Sequence, residues 1–222
     1  MRRSQVNGII RSAMDFAAEC GFNLPPFAFW TARDWTEKGA AADEIRRCRL
    51  GWDVTDFGRG DFERFGLVLC TLRNGRTDDP SGKCYCEKIM VVREHQMTPM
   101  HCHHRKTEDI INRAGGALVV RVMPEIPLES ETVSVTLDGV ERQIEYRAPM
   151  VLYPGESITL VPYLYHEFYA EPGTGRVLVG EVSSVNDDLT DNFFVEPIGR
   201  FPTIEEDEPA EFLLCNEYPE PA

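Results

Sequence analysis

Three of the five histidines stand within four consecutive positions, and a glutamate follows them closely. In the stretch TPMHCHHRKTEDIINRAGG, residues 98–116, His101 and His103 are two positions apart and Glu108 comes five positions later. Side chains at i and i+2 of a β-strand share one face, so these two imidazoles can reach one cation. Divalent ions such as zinc bind imidazole nitrogen at about 2.1 Å and also accept carboxylate oxygen. The spacing indicates a metal site, and a solvated surface pair is the alternative.

Two other histidines differ in how well they suit that site. His166 lies in the segment YLYHEFYAE, and a pair of strands can bring it beside the first two histidines. Alone, between Tyr165 and Phe168, it would be a core histidine with a hydrogen-bonded ring. His104 directly follows His103, so strand alternation turns it to the opposite face. His166 is therefore a further candidate ligand, and we expect His104 to lie outside the site.

Two ionisable residues in predicted strands are candidates for proton transfer. Lys88 begins the strand KIMVVREH, and a partly desolvated lysine beside a divalent cation would have a lowered pKa. Glu181 stands in the apolar segment VLVGEVSS, where a charge is rarely tolerated without a partner or a chemical role. Its neighbours on the same strand face, Val179 and Ser183, are not basic. A surface lysine and a structural ion pair are the alternatives, and Glu196 is a reserve candidate.

Charge and cysteine content limit the partners and the setting. The 222 residues carry a formal net charge of −14, which repels nucleic acid and anionic membranes and suits a metal cation or a neutral small molecule. The seven cysteines are odd in number and lack CxxC spacing, so we expect reduced thiols. The N-terminus has no uninterrupted apolar run, and no window reaches the length of a membrane-spanning helix. We expect a cytoplasmic protein without nucleic-acid or membrane partners.

The elements that position these residues change type along the chain. An apolar stripe over the first 21 residues predicts a helix with Ser4 as N-cap and Gly21 at its end. Thr31 and Asp34 have the spacing of a capping box, which predicts a second, short helix. An N-terminal helical arm thus precedes the main body.

From about residue 51 the pattern becomes a series of short strands with turn signals. Asp138-Gly139 between two alternating runs predicts a hairpin. Such a series with almost no helix between its strands predicts a mainly β fold, a sandwich or a barrel. We expect one domain over residues 1–222, divided into the helical arm 1–50, a β-barrel 51–200 and a C-terminal extension 201–222. The acidic run at 205–208 is interpreted as a solvated turn.

The histidine stretch also resembles a known motif. From His101 to Gly115 it matches the first cupin motif in every fixed position, and GESITLVPYLYH resembles the second motif without its usual glycine before the histidine. The resemblance implies a mainly β fold, the cupin double-stranded β-helix barrel, with a divalent metal in it. The implied ligands are His101, His103, Glu108 and His166.

The resemblance extends beyond the fold. PPFAFWT, HCHHRKTEDIINRAGG and PIGRFPTIEEDEPAEFLLCNEYP resemble stretches of the D-lyxose isomerase family of cupin-type sugar isomerases, over nearly the whole chain. This implies a metal-dependent aldose–ketose isomerase that interconverts D-lyxose with D-xylulose, and D-mannose with D-fructose. It also implies Mn²⁺ as the usual metal, a small sugar as substrate, and a homodimer. The ligand types alone leave Zn²⁺, Co²⁺, Fe²⁺ and Ni²⁺ open.

The chemistry of such an isomerase suits the candidate residues. A proton moves between C2 and C1 through a cis-enediolate, so positive charge near O1 and O2 and a proton carrier are needed. Lys88 and Glu181 are the expected catalytic residues. An iron-dependent cupin dioxygenase and a non-catalytic sugar-binding cupin are the alternatives with the same ligands. A sugar-phosphate isomerase would need a basic cradle, which Arg105 and Lys106 do not form because consecutive strand residues face opposite ways.

Overall fold

Antiparallel strands are the main regular structure of the computed structural model, which describes residues 1–219. Its helices are α1 (Arg3–Glu19), α2 (Ala32–Lys38) and α3 (Asp43–Arg47), with 3₁₀ turns at Pro26–Phe29 and Gly39–Ala42. The strands are β1 (Gly51–Thr55), β2 (Leu67–Arg73), β3 (Tyr85–Val92), β4 (His101–Cys102), β5 (Glu108–Gly115), β6 (Leu118–Pro124), β7 (Thr132–Leu137), β8 (Val140–Glu145), β9 (Met150–Leu152), β10 (Ser157–Leu160), β11 (Leu164–Ala170), β12 (Val177–Ser184) and β13 (Phe193–Phe194). Residues 220–222 of the predicted extension lie outside the described residues.

The strands form two sheets that enclose the core. The larger sheet has the order β1-β2-β3-β12-β5-β10-β7-β8, and the smaller one has the order β13-β4-β11-β6-β9. The apolar faces of both sheets meet around Leu69, Met90, Ile110, Val120, Ile158 and Phe168. Each such side chain contributes roughly 1.5–3 kcal/mol when it leaves water. The prediction of a mainly β fold is confirmed.

Helix α1 covers the outer face of the larger sheet. Its apolar stripe, including Val6 and Ile10, packs on Val68 and Leu178, as the period of the stripe predicted. The predicted N-cap is wrong, because the helix starts two residues earlier with Arg2 as its N-cap. Ser4 lies in the first turn, where its backbone N–H donates to Asp207 Oδ1 over 2.9 Å. A carboxylate from the C-terminal segment thus does what the serine hydroxyl was expected to do.

The acidic run at 205–208 is exposed, as predicted, and the C-terminal segment that contains it also holds α1. The Arg3 guanidinium, 3% exposed, lies 2.6 Å from Glu206 and 2.5 Å from Glu217. The Asn7 side-chain amide donates to Glu208 Oε1 over 2.7 Å. Sequence reasoning missed these pairs because their members are about 200 residues apart, and only the fold brings the two ends of the chain together.

The predicted cap of α2 and the predicted turn at Asp138-Gly139 agree with the structure. The Thr31 hydroxyl and the Asp34 carboxylate satisfy each other's backbone N–H groups at the start of α2. Asp138 and Gly139 both have positive φ, 48° and 79°, as a two-residue hairpin between β7 and β8 requires. Gly115, which ends the histidine motif, has φ of 93°, and a Cβ there would lie 2.3 Å from the Arg176 carbonyl oxygen. Only glycine fits that position without a shift of the backbone.

All seven cysteines are free thiols, as the sequence predicted. Within residues 1–219, none of the helices is both long enough and apolar enough to cross a membrane.

Candidate active site

Strand pairing brings three imidazoles to one place between the sheets. β4 pairs with β11 so that His101 lies directly opposite His166, and His103 follows two positions after His101. One ring nitrogen from each of the three residues lies within 4.8 Å of the others. His103 and His166 are buried, with 5% and 1% of their surface exposed. The structure therefore assembles the histidines that the sequence proposed as ligands.

The same kind of backbone contact orients each of the three imidazole rings. In each case Nδ1 lies at hydrogen-bond distance from a main-chain carbonyl oxygen. The acceptors for His101, His103 and His166 are the carbonyls of Pro99, Asp191 and Leu164, respectively. A ring that donates its Nδ1 proton to a carbonyl leaves the Nε2 lone pair free, which is the usual arrangement of metal-binding histidines.

Burial keeps two of these rings neutral. It lowers the pKa of His101 well below its ordinary value, with help from the neighbouring His166 and His103. It also lowers the pKa of His103 to about 4, assisted by the positive charge of Lys106. At neutral pH both imidazoles therefore present lone pairs instead of protons.

Glu108 completes the donor set. Its Oε1 lies 3.0 Å from His166 Nε2 and 3.5 Å from His103 Nε2. This buried oxygen has no hydrogen-bond partner among the described residues. When the Nδ1 protons are donated to the carbonyls, the two Nε2 atoms beside it present lone pairs. Donors that share one cation at about 2.1 Å are themselves about 3.0–3.4 Å apart. An orphaned carboxylate oxygen at these separations fits a divalent cation held by the four side chains.

Two lysines and a second glutamate lie directly behind Glu108. The Lys106 ammonium is 2.6 Å from Glu108 Oε2 and 2.9 Å from Glu181 Oε1. Lys88 approaches the other oxygen of Glu181 at 3.2 Å. All four side chains are at most 5% exposed. The cluster is thus a buried chain of alternating charge that begins at the candidate metal ligands.

The basic partners of Glu181 come from outside its own strand, whereas Ser183 on that strand donates its hydroxyl to Glu181 Oε1 over 3.0 Å. The residues two positions away on β12 are Val179 and Ser183, and the sequence therefore showed no base beside it. Across the sheet, however, Glu181 is in register with Lys88 of β3, and Lys106 reaches it from the loop before β5. The sequence left an ion pair open as the alternative but could not name its members, because lateral neighbours in a sheet are invisible in one strand.

These contacts determine the ionisation of Glu181 and Lys88. Burial opposes ionisation of Glu181, but Lys106 and Lys88 outweigh it and hold the pKa of the carboxyl below its ordinary value. Burial likewise disfavours the charged form of Lys88, yet Asp188 and Glu181 raise its pKa above the ordinary value. The predicted loss of basicity at Lys88 is therefore corrected: two carboxylates that the sequence did not reveal keep this lysine protonated.

Residues that sequence reasoning missed extend the cluster outward. Asn186 Oδ1 accepts hydrogen bonds from Lys88 over 2.7 Å and from Lys106 over 3.3 Å. Asp188 Oδ1 lies 3.9 Å from the Lys88 ammonium. Both come from the stretch after β12, whose mixed polar composition lacks the periodicity that would have singled them out. From the sequence, Lys106 is considered only as a possible phosphate ligand. Its position between the histidines and Glu108 could have indicated that it lies close to the candidate metal ligands.

Arg200 closes the far side of the cluster. It pairs with Asp53 over 2.5 Å and lies 3.5 Å from Asp188. Its Nη1 is buried and has no hydrogen-bond partner within residues 1–219. A small cavity of about 40 Å³ is bordered by Arg200 and Asp188, by the histidines and by Phe57, Phe168 and Phe194.

Glu196, the reserve candidate, and His104 both lie outside the candidate site. Glu196 is 68% exposed and pairs with Arg59 outside the cavity. His104 does not join the three histidines and instead lies 3.0 Å from Glu125. The site thus contains Lys88 and Glu181 but not Glu196, and strand alternation directs His104 away from it, as expected.

Comparison with known proteins now decides the family. The model of the D-lyxose isomerase family matches residues 1–218. The chain belongs to the D-lyxose isomerase family. Among its relatives in that family, the D-lyxose/D-mannose isomerase of Escherichia coli O157:H7 is 49% identical over 223 aligned positions, which cover 98% of each chain. The D-lyxose/D-mannose isomerase of Serratia proteamaculans is 48% identical with the same coverage.

Solved structures share the fold of this family member. The L-ribose isomerase of Cellulomonas parahominis, solved with L-ribose, matches with a TM-score of 0.63 at 18% identity, over 92% of this chain and 98% of that one. The L-ribose isomerase of Geodermatophilus obscurus matches with a TM-score of 0.60 at 16% identity and the same coverage. The likeness confirms the predicted fold class at an identity too low to carry substrate preference.

Proposed function

We propose that this protein is an aldose–ketose isomerase that interconverts D-lyxose with D-xylulose, and D-mannose with D-fructose, through a cis-enediolate. Membership of the D-lyxose isomerase family and the names of the two bacterial relatives support the choice of reaction and sugars. The observation that carries the proposal is a buried carboxylate, Glu181, held between two ammonium groups beside a donor set of three imidazoles and Glu108.

The proposed cofactor is a divalent metal held by His101, His103, Glu108 and His166. A bound ion would act as a Lewis acid that stabilises negative charge on O1 and O2 of the sugar. Mn²⁺ is proposed from the family resemblance, since nitrogen and carboxylate donors also accept Zn²⁺, Co²⁺, Fe²⁺ and Ni²⁺. The orphaned Glu108 oxygen and the three oriented Nε2 lone pairs support the fit of this group.

Glu181 is the proposed proton carrier. Its lysine partners keep it ionised, so it can take the proton from C2 of the aldose and return it to C1 of the enediolate. The hydroxyl proton of O2 moves to O1 in the same conversion, and the reaction is therefore balanced without a redox partner. Lys88 and Lys106 hold the carboxylate in place and, as cations, favour negative charge in the cavity. The free Nη1 of Arg200 is available to a sugar hydroxyl.

One experiment separates this proposal from its alternatives. Protein loaded with Mn²⁺ is incubated in D₂O under nitrogen with free aldoses and ketoses, and the products are read by chromatography and mass spectrometry. We expect D-lyxose and D-xylulose to interconvert without oxygen, with deuterium entering the product from solvent at C1 or C2. Product without deuterium would contradict the enediolate in favour of a hydride shift. Sugar binding without product would favour a non-catalytic cupin, and a product that requires iron and oxygen would favour a dioxygenase.

Assembly and location complete the proposal. We propose a homodimer, as the family resemblance implies, and a cytoplasmic location, as the seven free thiols favour. Light scattering coupled to gel filtration tests the first, and a molar mass equal to that of one chain at micromolar concentration would contradict it.

A further inference from the structure

A second group of metal-binding atoms lies on the other face of the strand that carries the candidate ligands. Cys102 and His104 alternate with His101 and His103, so they project away from the cavity. Glu125 comes directly after β6 and reaches the same side. One donor atom from each of Cys102, His104 and Glu125 lies within 4.8 Å of the other two. The cluster is separate from the proposed active site and shares no residue with it.

The donors are positioned by contacts that do not involve a metal. The His104 ring stacks on Phe193 with centroids 3.7 Å apart and planes 9° apart, and Tyr163 lies against it at 4.5 Å. The backbone N–H of Glu125 donates to the Tyr163 carbonyl over 2.9 Å. His104 Nε2 and Glu125 Oε1 are 3.0 Å apart. Two donors on one tetrahedral ion at about 2.1 Å would be about 3.4 Å apart, so a shift of a few tenths of an ångström suffices.

Burial and charge suit a partly enclosed cation. Cys102 is fully buried, whereas the side chains of His104 and Glu125 are 29% and 33% exposed. An ion can therefore enter from solvent and meet sulfur at the inner end of the site. A thiolate and a carboxylate together neutralise a divalent charge, and the net charge of −14 attracts cations to the molecule.

We propose that Cys102, His104 and Glu125 form a second divalent-metal site, which binds Zn²⁺ or Co²⁺ in preference to Mn²⁺. A sulfur, nitrogen and oxygen donor set is typical of zinc, and a thiolate disfavours Mn²⁺ relative to the softer ions. Water fills the fourth position, because the described residues supply three donors. On binding, the thiol proton leaves to solvent and a metal–sulfur bond forms without oxidation or reduction. The bound ion links β4 to the end of β6 from the face opposite the active site.

Cobalt gives this site its own spectroscopic signal. The proposed active site contains only nitrogen and oxygen donors, so a thiolate-to-cobalt charge-transfer band reports the second site alone. Full-length protein, stripped of metal, is titrated with Co²⁺ under nitrogen. We expect the wild type and the His101→Ala variant to show this band with a stoichiometry of about one ion per chain. Persistence of the band in His101→Ala separates this proposal from the fate of the proposed active site.

Variants of the cluster decide whether the assignment holds. Cys102→Ser should abolish the band, and Cys84→Ser, at an exposed cysteine, should leave it unchanged. Glu125→Gln is a nearly isosteric change at a partly exposed side chain, and it should weaken Co²⁺ binding at this site by at least about 10-fold. Absence of the band in the wild type, its survival in Cys102→Ser, or unchanged affinity in Glu125→Gln would each overturn the proposal.

Discussion

Glu181 is the residue whose environment differs most from what an isolated strand would provide. Its two oxygens accept from Lys106 over 2.9 Å and from Lys88 over 3.2 Å, and the side chain is 5% exposed. A carboxylate held in this way is ionised and fixed in direction, so it is ready to accept a proton from a correctly placed carbon.

Replacement of Glu181 by glutamine tests that role. Glutamine is nearly isosteric, so Glu181→Gln should keep the fold, the Mn²⁺ content and the KM for sugar, while kcat falls by about 10²- to 10⁴-fold. Steady-state kinetics measures kcat and KM, and elemental analysis measures the Mn²⁺ content. Glu196→Gln, at an exposed carboxylate outside the cavity, is the matched control and should retain full activity. Near-normal turnover in Glu181→Gln would move the search for the base to other groups in the cavity.

Adjacent histidines provide a second test at this scale. In protein dialysed against Mn²⁺, His103→Ala should lower both metal content and activity, because it removes one of four donors. His104→Ala should lower neither, since its ring lies on the other face of the strand and Mn²⁺ avoids the thiolate site there. Elemental analysis of the two purified variants gives the answer. Equal losses of Mn²⁺ in both would mean that the two faces are assigned wrongly.

The depressed pKa of His103 predicts a pH effect on the metal-free protein. Burial lowers that pKa to about 4, whereas the unfolded chain has an ordinary histidine. Between about pH 6.5 and pH 4 the unfolded state therefore binds the extra proton, and the free energy of unfolding falls by up to about 1.4 kcal/mol per pH unit from this residue. Urea unfolding at pH 7 and pH 5 measures the fall. In His103→Gln the difference should be smaller, and an equal difference would contradict the assignment.

Among the elements, α1 depends on the C-terminal segment that lies along it. Arg3 is buried against Glu206 and Glu217, while Arg2, one position earlier, is 65% exposed and 3.9 Å from Glu205. Arg2 and Arg3 therefore provide an exposed and a buried ion pair at the start of the same helix.

Arg3→Ala should therefore destabilise the protein much more than Arg2→Ala. Loss of the buried guanidinium leaves two carboxylates without their partner, and because one of these is more than half exposed we expect a cost of about 2 kcal/mol. The exposed pair of Arg2 is expected to contribute less than about 1 kcal/mol. Urea unfolding of both variants provides the comparison. Similar losses for the two would show that the segment is held by its apolar contacts instead.

At the scale of the whole molecule, the fold should not require the metal. The core between the two sheets is built from apolar side chains, and a chain of 222 residues buries enough of them to fold alone. Prolonged chelation should abolish isomerisation and leave the far-UV circular dichroism spectrum unchanged. Mn²⁺ should restore activity, and other first-row divalent ions should restore it in part. Loss of the β spectrum on chelation would mean that the ion is structural.

The sequence by itself determined the features that depend on near neighbours. The period of two residues in a strand placed His101 and His103 on one face, and the same period directed His104 to the other. The capping box of Thr31 and Asp34 and the turn at Asp138-Gly139 are likewise local, since backbone geometry over a few residues decides them. The motif also pointed to His166, and its position opposite His101 came from the pairing of β4 with β11.

Only the tertiary structure decided the charges around the candidate proton carrier. Lys106 and Glu181 are 75 residues apart in sequence, and Lys88 and Glu181 are 93 apart, yet each pair is in hydrogen-bond contact. The sign of a pKa shift depends on which charges lie within a few ångströms and on how far water is excluded. Strand order and register set both quantities. For that reason Lys88 was expected from its sequence to lose its proton easily, and in the folded protein it retains it.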